Sequence, residues 1–231
     1  MIGASGRMGL AIAQLVEAEF HDRATISARY SRSVGDLVEL SGVDIVIDFS
    51  LPLVTEALCD WLEARPGTLP ALVSGTTGLT QAQLNKLSAL SKRTNVMHSP
   101  NFSSGVATVK YLLQVAAPIL NNMGYTPVLT DTHHDQKKDA PSGTAIALRE
   151  TIEKSSSGPV HVNSVRAGNV VGKHEIVFYG ESDQIVISHE ALNRDLFARG
   201  ALDAALWLST QSLAGSLFSM DDYLKQRYQT P

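Results

Sequence analysis

The densest chemistry in the chain lies in Thr132-His133-His134-Asp135-Gln136-Lys137-Lys138-Asp139-Ala140-Pro141-Ser142-Gly143-Thr144. Imidazole titrates near neutral pH and ammonium keeps its charge, so His133, His134 and Lys137 together can orient an anion and hand it a proton. Pro141-Ser142-Gly143-Thr144 reads as a helix start, with Ser142 as the cap and the N–H groups of Gly143 and Thr144 aimed outward. Such an end receives a carboxylate or phosphate. The chemistry suggested is acid catalysis coupled to anion binding, against the plainer alternative of a solvated charged loop ahead of a capped helix. Zinc fits poorly, because adjacent histidines on an extended strand point to opposite faces and no third ligand is evident. No metal is expected.

A second constellation opens the chain. In Gly3-Ala4-Ser5-Gly6-Arg7-Met8-Gly9, glycines recur three apart before a run with apolar residues at helical spacing, Met8, Ala11, Ile12, Leu15 and Val16. Missing side chains let backbone N–H groups approach a pyrophosphate at the helix N-terminus, although the spacing departs from G-x-G-x-x-G. Only Met1 and Ile2 precede Gly3, so most of the strand that normally feeds such a loop is absent from this sequence. About 20 residues on, where an acid holds a ribose hydroxyl, the chain reads Ala28-Arg29-Tyr30-Ser31-Arg32. Two arginines and no acid there, with Arg7 in the loop, suit a 2′-phosphate, so NADPH is favoured over NADH. Further contacts are expected from Gly75, Thr76 and Thr77, and from Pro100, Asn101 and Phe102, which follow short apolar strands where open α/β sheets bind ligands.

The elements that must position these residues alternate at first. Strands are expected at Ala24–Ala28, Val43–Phe49, Ala71–Ser74 and Asn95–His98, with helices near Val54–Arg65 and Thr80–Lys92. This is α/β texture, a Rossmann-like doubly wound parallel sheet. After Pro100 a long helix, Val106–Leu120, precedes strands at Val128–Thr132, Val160–Arg166, His174–Tyr179 and Gln184–His189. That succession predicts a second α+β domain with a mostly open mixed sheet. Leu196–Leu217 reads as helical again. The expected division is a dinucleotide-binding domain of residues 1–104 and 195–231, and a substrate-binding and oligomerisation domain of residues 105–194.

Composition narrows the partners. With 231 residues, 44% of them hydrophobic and 18% charged, the chain can bury a real core, which excludes disorder. A net charge of −4 argues against nucleic acid and anionic membranes. The single cysteine, Cys59, allows no internal disulfide, and no run suits a signal peptide or a bilayer span; a cytoplasmic protein is expected.

The chain resembles the 4-hydroxy-tetrahydrodipicolinate reductases (dihydrodipicolinate reductases) of bacterial and plant lysine biosynthesis. The likeness runs through Gly3–Gly9, Asp48-Phe49-Ser50, Gly75-Thr76-Thr77-Gly78, Asn101-Phe102-Ser103, and His133-His134 with Lys137 and Asp139-Ala140-Pro141-Ser142-Gly143-Thr144-Ala145. It continues through Val165-Arg166-Ala167-Gly168, Val171-Gly172-Lys173-His174 and the Trp207 helix, and so covers nearly the whole chain. The resemblance implies hydride transfer from NAD(P)H to a cyclic imine dicarboxylate, giving tetrahydrodipicolinate after loss of water. It implies His133 as general acid and Lys137 as a further proton-donor candidate, with His134, Lys137, Ser142, Gly143 and Thr144 holding the substrate carboxylates. Gly75 and Thr77 would meet the nicotinamide ribose and carboxamide, Asn101 and Phe102 would lie nearby at the hinge, and Arg194 would stand near the site. It also implies a homotetramer. Two alternatives remain at this point: a reductase of another small carboxylate on the same plan, and a dinucleotide sensor without catalysis. The chain is shorter than members of the family around residues 29–43 and 155–163.

Overall fold

A computed structural model describes residues 1–31, 42–154, 158–212 and 215–228. The chain divides into two compact units, Met1–Phe102 with Asp195–Pro231, and Ser103–Arg194.

In the first unit, α1 (Arg7–Leu15) leads into a π-helical turn, Val16–Phe20, and the sheet takes β1 (Ile45–Asp48), β2 (Ala71–Ser74), β3 (Val96–His98) and β8 (Leu217–Phe218) in the order β1-β2-β3-β8, all parallel. Every residue of β2 is buried, as a strand covered on both faces requires. α2 (Pro52–Glu63) and α3 (Gln81–Leu90) close one core, in which Leu58, Leu62, Leu87 and Leu90 meet Val46, Leu72 and Val96. α6 (Asp195–Ser209) packs on α1, β1 and β2. Cys59 sits in the core on α2, and burial pushes its thiol up to about 12, which makes it a packing residue and no nucleophile.

Two expectations need correction in this unit. Ala24–Ala28 forms no strand; among the described residues the segment meets the chain start at its end, where Met1 bonds Ala28 and Tyr30, Gly3 and Ala4 bond Tyr30, and Ile2 bridges Tyr30 and Asp48. Those contacts reach Ala28 and go no further back along the segment, so Ala24–Ser27 has no ladder to join. The helix predicted over Leu196–Leu217 ends at Ser209. β8 then pairs with β3, and Ser219 and Asp222 cap each other reciprocally at the start of α7 (Met220–Tyr228).

The second unit holds α4 (Ser104–Asn122), β4 (Thr126–His133), α5 (Gly143–Glu153), β5 (His161–Arg166), β6 (Gly172–Tyr179) and β7 (Gln184–Ala191), with sheet order β5-β4-β6-β7. β4 and β5 run parallel and the other pairs antiparallel, so the sheet is mixed. Its buried face is split along its length. Leu129, Ile176 and Phe178 pack under Leu113 and Ala117 of α4 and Leu148 of α5. Toward the other end the same alternation buries Asp131 and His133 on β4, and Gly172 and His174 on β6. An apolar core that gives way to buried polar residues is the mark of a site, because burying such groups costs free energy unless they are paired.

Candidate active site

At the polar end of the second unit, one carboxylate gathers the side chains. Asp131 is fully buried. Ser142 donates to it twice, from its backbone N–H at 2.9 Å and its hydroxyl at 2.8 Å, and Arg166 Nη2 lies 3.1 Å away. His133 Nδ1 approaches its Oδ1 at 2.9 Å and His174 Nε2 at 3.3 Å, with the two rings edge to face at 5.3 Å between centroids. Burial alone would raise the carboxyl, but the contacts from His133 and His174 and the bonds from Ser142 outweigh it and hold it well below the usual carboxylate range.

The loop from His134 to Pro141 is tied to this hub. Arg166 also donates to the carbonyls of Asp131 and Asp139, and Lys137 Nζ pairs with Asp139 Oδ1 at 2.8 Å. His134 turns away from His133, as neighbours on an extended segment do, and its Nε2 lies 3.4 Å from Arg194 Nη2. Ser142 caps α5 by accepting from the Ala145 N–H, while Gly143 is exposed at the helix start. Ser142 therefore faces inward onto Asp131, with Gly143 left exposed ahead of the first turn.

Asp131, His133 and His174 have donor atoms within 4.8 Å of one another, close enough to hold a metal ion. The oxygens of Asp131 are already engaged by Ser142, and the fixed charge of Arg166 beside them opposes a cation.

In the first unit, Gly6 stands before α1 in extended backbone and offers no side-chain cap, whereas Thr80, Ser103 and Ser142 cap α3, α4 and α5. The first-turn N–H groups of α1 are thus left to an external acceptor, which fits the pyrophosphate of a dinucleotide. Gly3, at φ +78°, has no room for a Cβ, which would come within 2.3 Å of the Phe49 carbonyl oxygen. Ser5, Gly6 and Arg7 are exposed and Met8 is half-buried. At the strand ends, a Cβ on Gly75 would lie 2.0 Å from the Phe49 ring, which meets Phe102 edge-on at 5.5 Å. Thr77 is exposed. Thr76 is buried, its hydroxyl turned inward, 3.2 Å from Asp48 Oδ2 and 2.9 Å from Thr55 Oγ1. Burial pushes the Asp48 carboxyl up against the opposing bonds of Ser50, Thr55 and Thr76. Pro100 is exposed, and Asn101 is held in a tight turn by the Ser99 hydroxyl. Arg29 pairs with Glu17 at 3.0 Å, and Arg32 lies outside the described residues.

Sequence reasoning passed over Asp131 and gave Arg166, Gly172 and His174 no individual role. The usable signal was the spacing of Asp131 and His133 by two on a strand, which puts both on one face.

A parallel nucleotide-type sheet whose glycine loop feeds an uncapped helix, joined to a unit carrying a buried imidazole–carboxylate cluster, defines a dinucleotide-dependent oxidoreductase. The family model "Dihydrodipicolinate reductase, N-terminus" matches residues 1–102, and "Dihydrodipicolinate reductase, C-terminus" matches residues 105–224. The chain belongs to the dihydrodipicolinate reductase family. It is 39% identical to the 4-hydroxy-tetrahydrodipicolinate reductase of Rickettsia bellii, over 96% of this chain and 92% of that one. To that of Caulobacter vibrioides it is 34% identical, over 96% and 95%. The fold matches the dipicolinate-bound dihydrodipicolinate reductase of Paenisporosarcina sp. TG-14 with a TM-score of 0.74 at 21% identity, covering 94% of this chain and 95% of that one. Among the described residues no helix is long and apolar enough to cross a membrane.

Proposed function

We propose that this chain reduces 4-hydroxy-tetrahydrodipicolinate, a cyclic imine dicarboxylate, to tetrahydrodipicolinate in diaminopimelate and lysine biosynthesis. The observation that carries the assignment of roles is the cluster at one end of the second unit's sheet. It sets a buried imidazole on a carboxylate beside the outward N-terminus of α5.

Bound NAD(P)H supplies the hydride. The glycine loop and the first turn of α1 hold its pyrophosphate, and Gly75, Thr77, Asn101 and Phe102 line the nicotinamide end. His133 delivers the proton, with Lys137 as the second donor candidate. A doubly charged substrate needs cationic and N–H partners, and His134, Lys137 and the backbone of Gly143 and Thr144 supply them, with Arg194 beside His134. Ser142 acts from behind, fixing the helix start on Asp131. NADPH is the preferred cofactor, with Arg7 and Arg32 meeting the 2′-phosphate. The working form is a cytoplasmic homotetramer. Support for assembly comes from Val165, Tyr179, Ile185 and Val186, which leave apolar surface exposed on β5, β6 and β7.

Titration with pyridine-2,6-dicarboxylate, with and without NADPH, tests this reading. Saturable binding that tightens with cofactor is expected, because the planar dicarboxylate shares the substrate's charges. A protein that binds NADPH and ignores the dicarboxylate would be a dinucleotide sensor.

A further inference from the structure

The orientation of His133 is set by two residues that take no part in the chemistry. Its Nδ1 is buried and has no aligned hydrogen bond among the described residues, so the Asp131 carboxylate 2.9 Å away is its charge partner. That carboxylate cannot swing aside. Ser142 fixes it from the start of α5, Arg166 from β5 and His174 from β6. On the other side of the ring, Nε2 faces Gly172, where a Cβ would come within 2.9 Å of it. His174 is held the opposite way, its Nε2 turned inward on Asp131 and on the Ser142 hydroxyl at 3.2 Å.

We infer that Asp131 and Gly172 are the positioning residues of the proton donor. Asp131 holds the ring by its charge contact at Nδ1, and the missing side chain at residue 172 leaves Nε2 as the nitrogen that gives up the proton. The inference rests on the role proposed above for His133. In the step, the Nε2–H bond breaks and the proton passes to the substrate. The ring is left neutral with its one hydrogen on Nδ1, facing Asp131, and solvent later restores the proton at Nε2. The carboxylate offsets the ring's positive charge before transfer and fixes its tautomer afterwards.

The test is heteronuclear NMR of the full-length protein labelled with ¹⁵N at histidine, together with steady-state kinetics of Asp131→Asn and Gly172→Ala. In its neutral form the His133 ring should carry its hydrogen on Nδ1 in the wild type and on Nε2 in D131N. G172A should keep the Nδ1 tautomer and NADPH affinity, yet lose about 10²-fold in kcat with KM changed less than about threefold, as a displaced donor would. Hydrogen on Nε2 in the wild type overturns the inference, and so does wild-type kcat in G172A. If D131N does not fold, the wild-type spectrum and G172A decide. The spectrum needs no turnover, so a wild type inactive on the substrate would count against the proposed reaction while the tautomer still decides the positioning.

Discussion

Lys137 and Asp139 form an ion pair of 2.8 Å across a loop that Arg166 anchors to the sheet through the Asp139 carbonyl. Both partners are partly exposed, so the pair contributes less than about 1 kcal/mol to stability, and its effect is to place the ammonium. Lys137→Ala should therefore lower kcat without lowering the melting temperature measurably. His133→Ala should lower kcat by about 10²–10⁴-fold, the usual contribution of a positioned proton donor. Steady-state assays with thermal melts of the same samples check this. Wild-type turnover in both variants would remove the loop from the mechanism.

Asp131 and Asp48 should pull the two units in opposite directions in acid. The contacts from His133, His174 and Ser142 depress Asp131 below its unfolded value. Its stabilisation is present above about pH 4 and is lost as pH falls from there toward the folded pKa. Burial raises Asp48, so its contribution to stability falls as pH rises through the ordinary carboxylate range, and acid relieves that cost. Trp61 and Trp207 both lie in the first unit. Acidification should thus change far-UV circular dichroism before it changes tryptophan fluorescence. Coincident transitions would contradict the assignment of acid sensitivity to Asp131.

Gly75 abuts the ring of Phe49, and Phe49 abuts Phe102. An added methyl at 75 must displace the half-buried Phe49 ring from its contact with Phe102, which costs about 1–3 kcal/mol. Gly75→Ala should also weaken NADPH binding, read by nucleotide fluorescence, because the loop proposed to meet the nicotinamide would move with the ring. Unchanged affinity would show that the 75–78 loop does not contact the cofactor.

The fold was largely legible because its signals are local. β2 is a short apolar run closed by Ser74, Thr80 with Gln83 spells a capping box, and Pro141-Ser142-Gly143 announces α5 at its true start. Long-range partners were less visible. Ala24–Ser27 has strand composition but no ladder to join, and β8 is two residues that gain order only by lying beside β3. The site divides the same way. His133, His134 and Lys137 stand out as a cluster in sequence, whereas Asp131 becomes a hub only when β5, β6 and α5 bring Arg166, His174 and Ser142 to it.

The proposed preference for NADPH rests on charge. Ala28–Arg32 holds two arginines, Arg29 and Arg32, and no acid, and Arg29 is already paired with Glu17. Arg32→Ala should accordingly lower kcat/KM for NADPH more than for NADH, with Arg29→Ala the milder change. Equal losses with the two cofactors would show that neither arginine reads the 2′-phosphate.

The reaction itself is read by NADPH absorbance on addition of freshly prepared 4-hydroxy-tetrahydrodipicolinate. One NADPH should be oxidised per imine added, and none when the imine is left out. NADPH that stays reduced in the presence of fresh imine would contradict the proposed reaction.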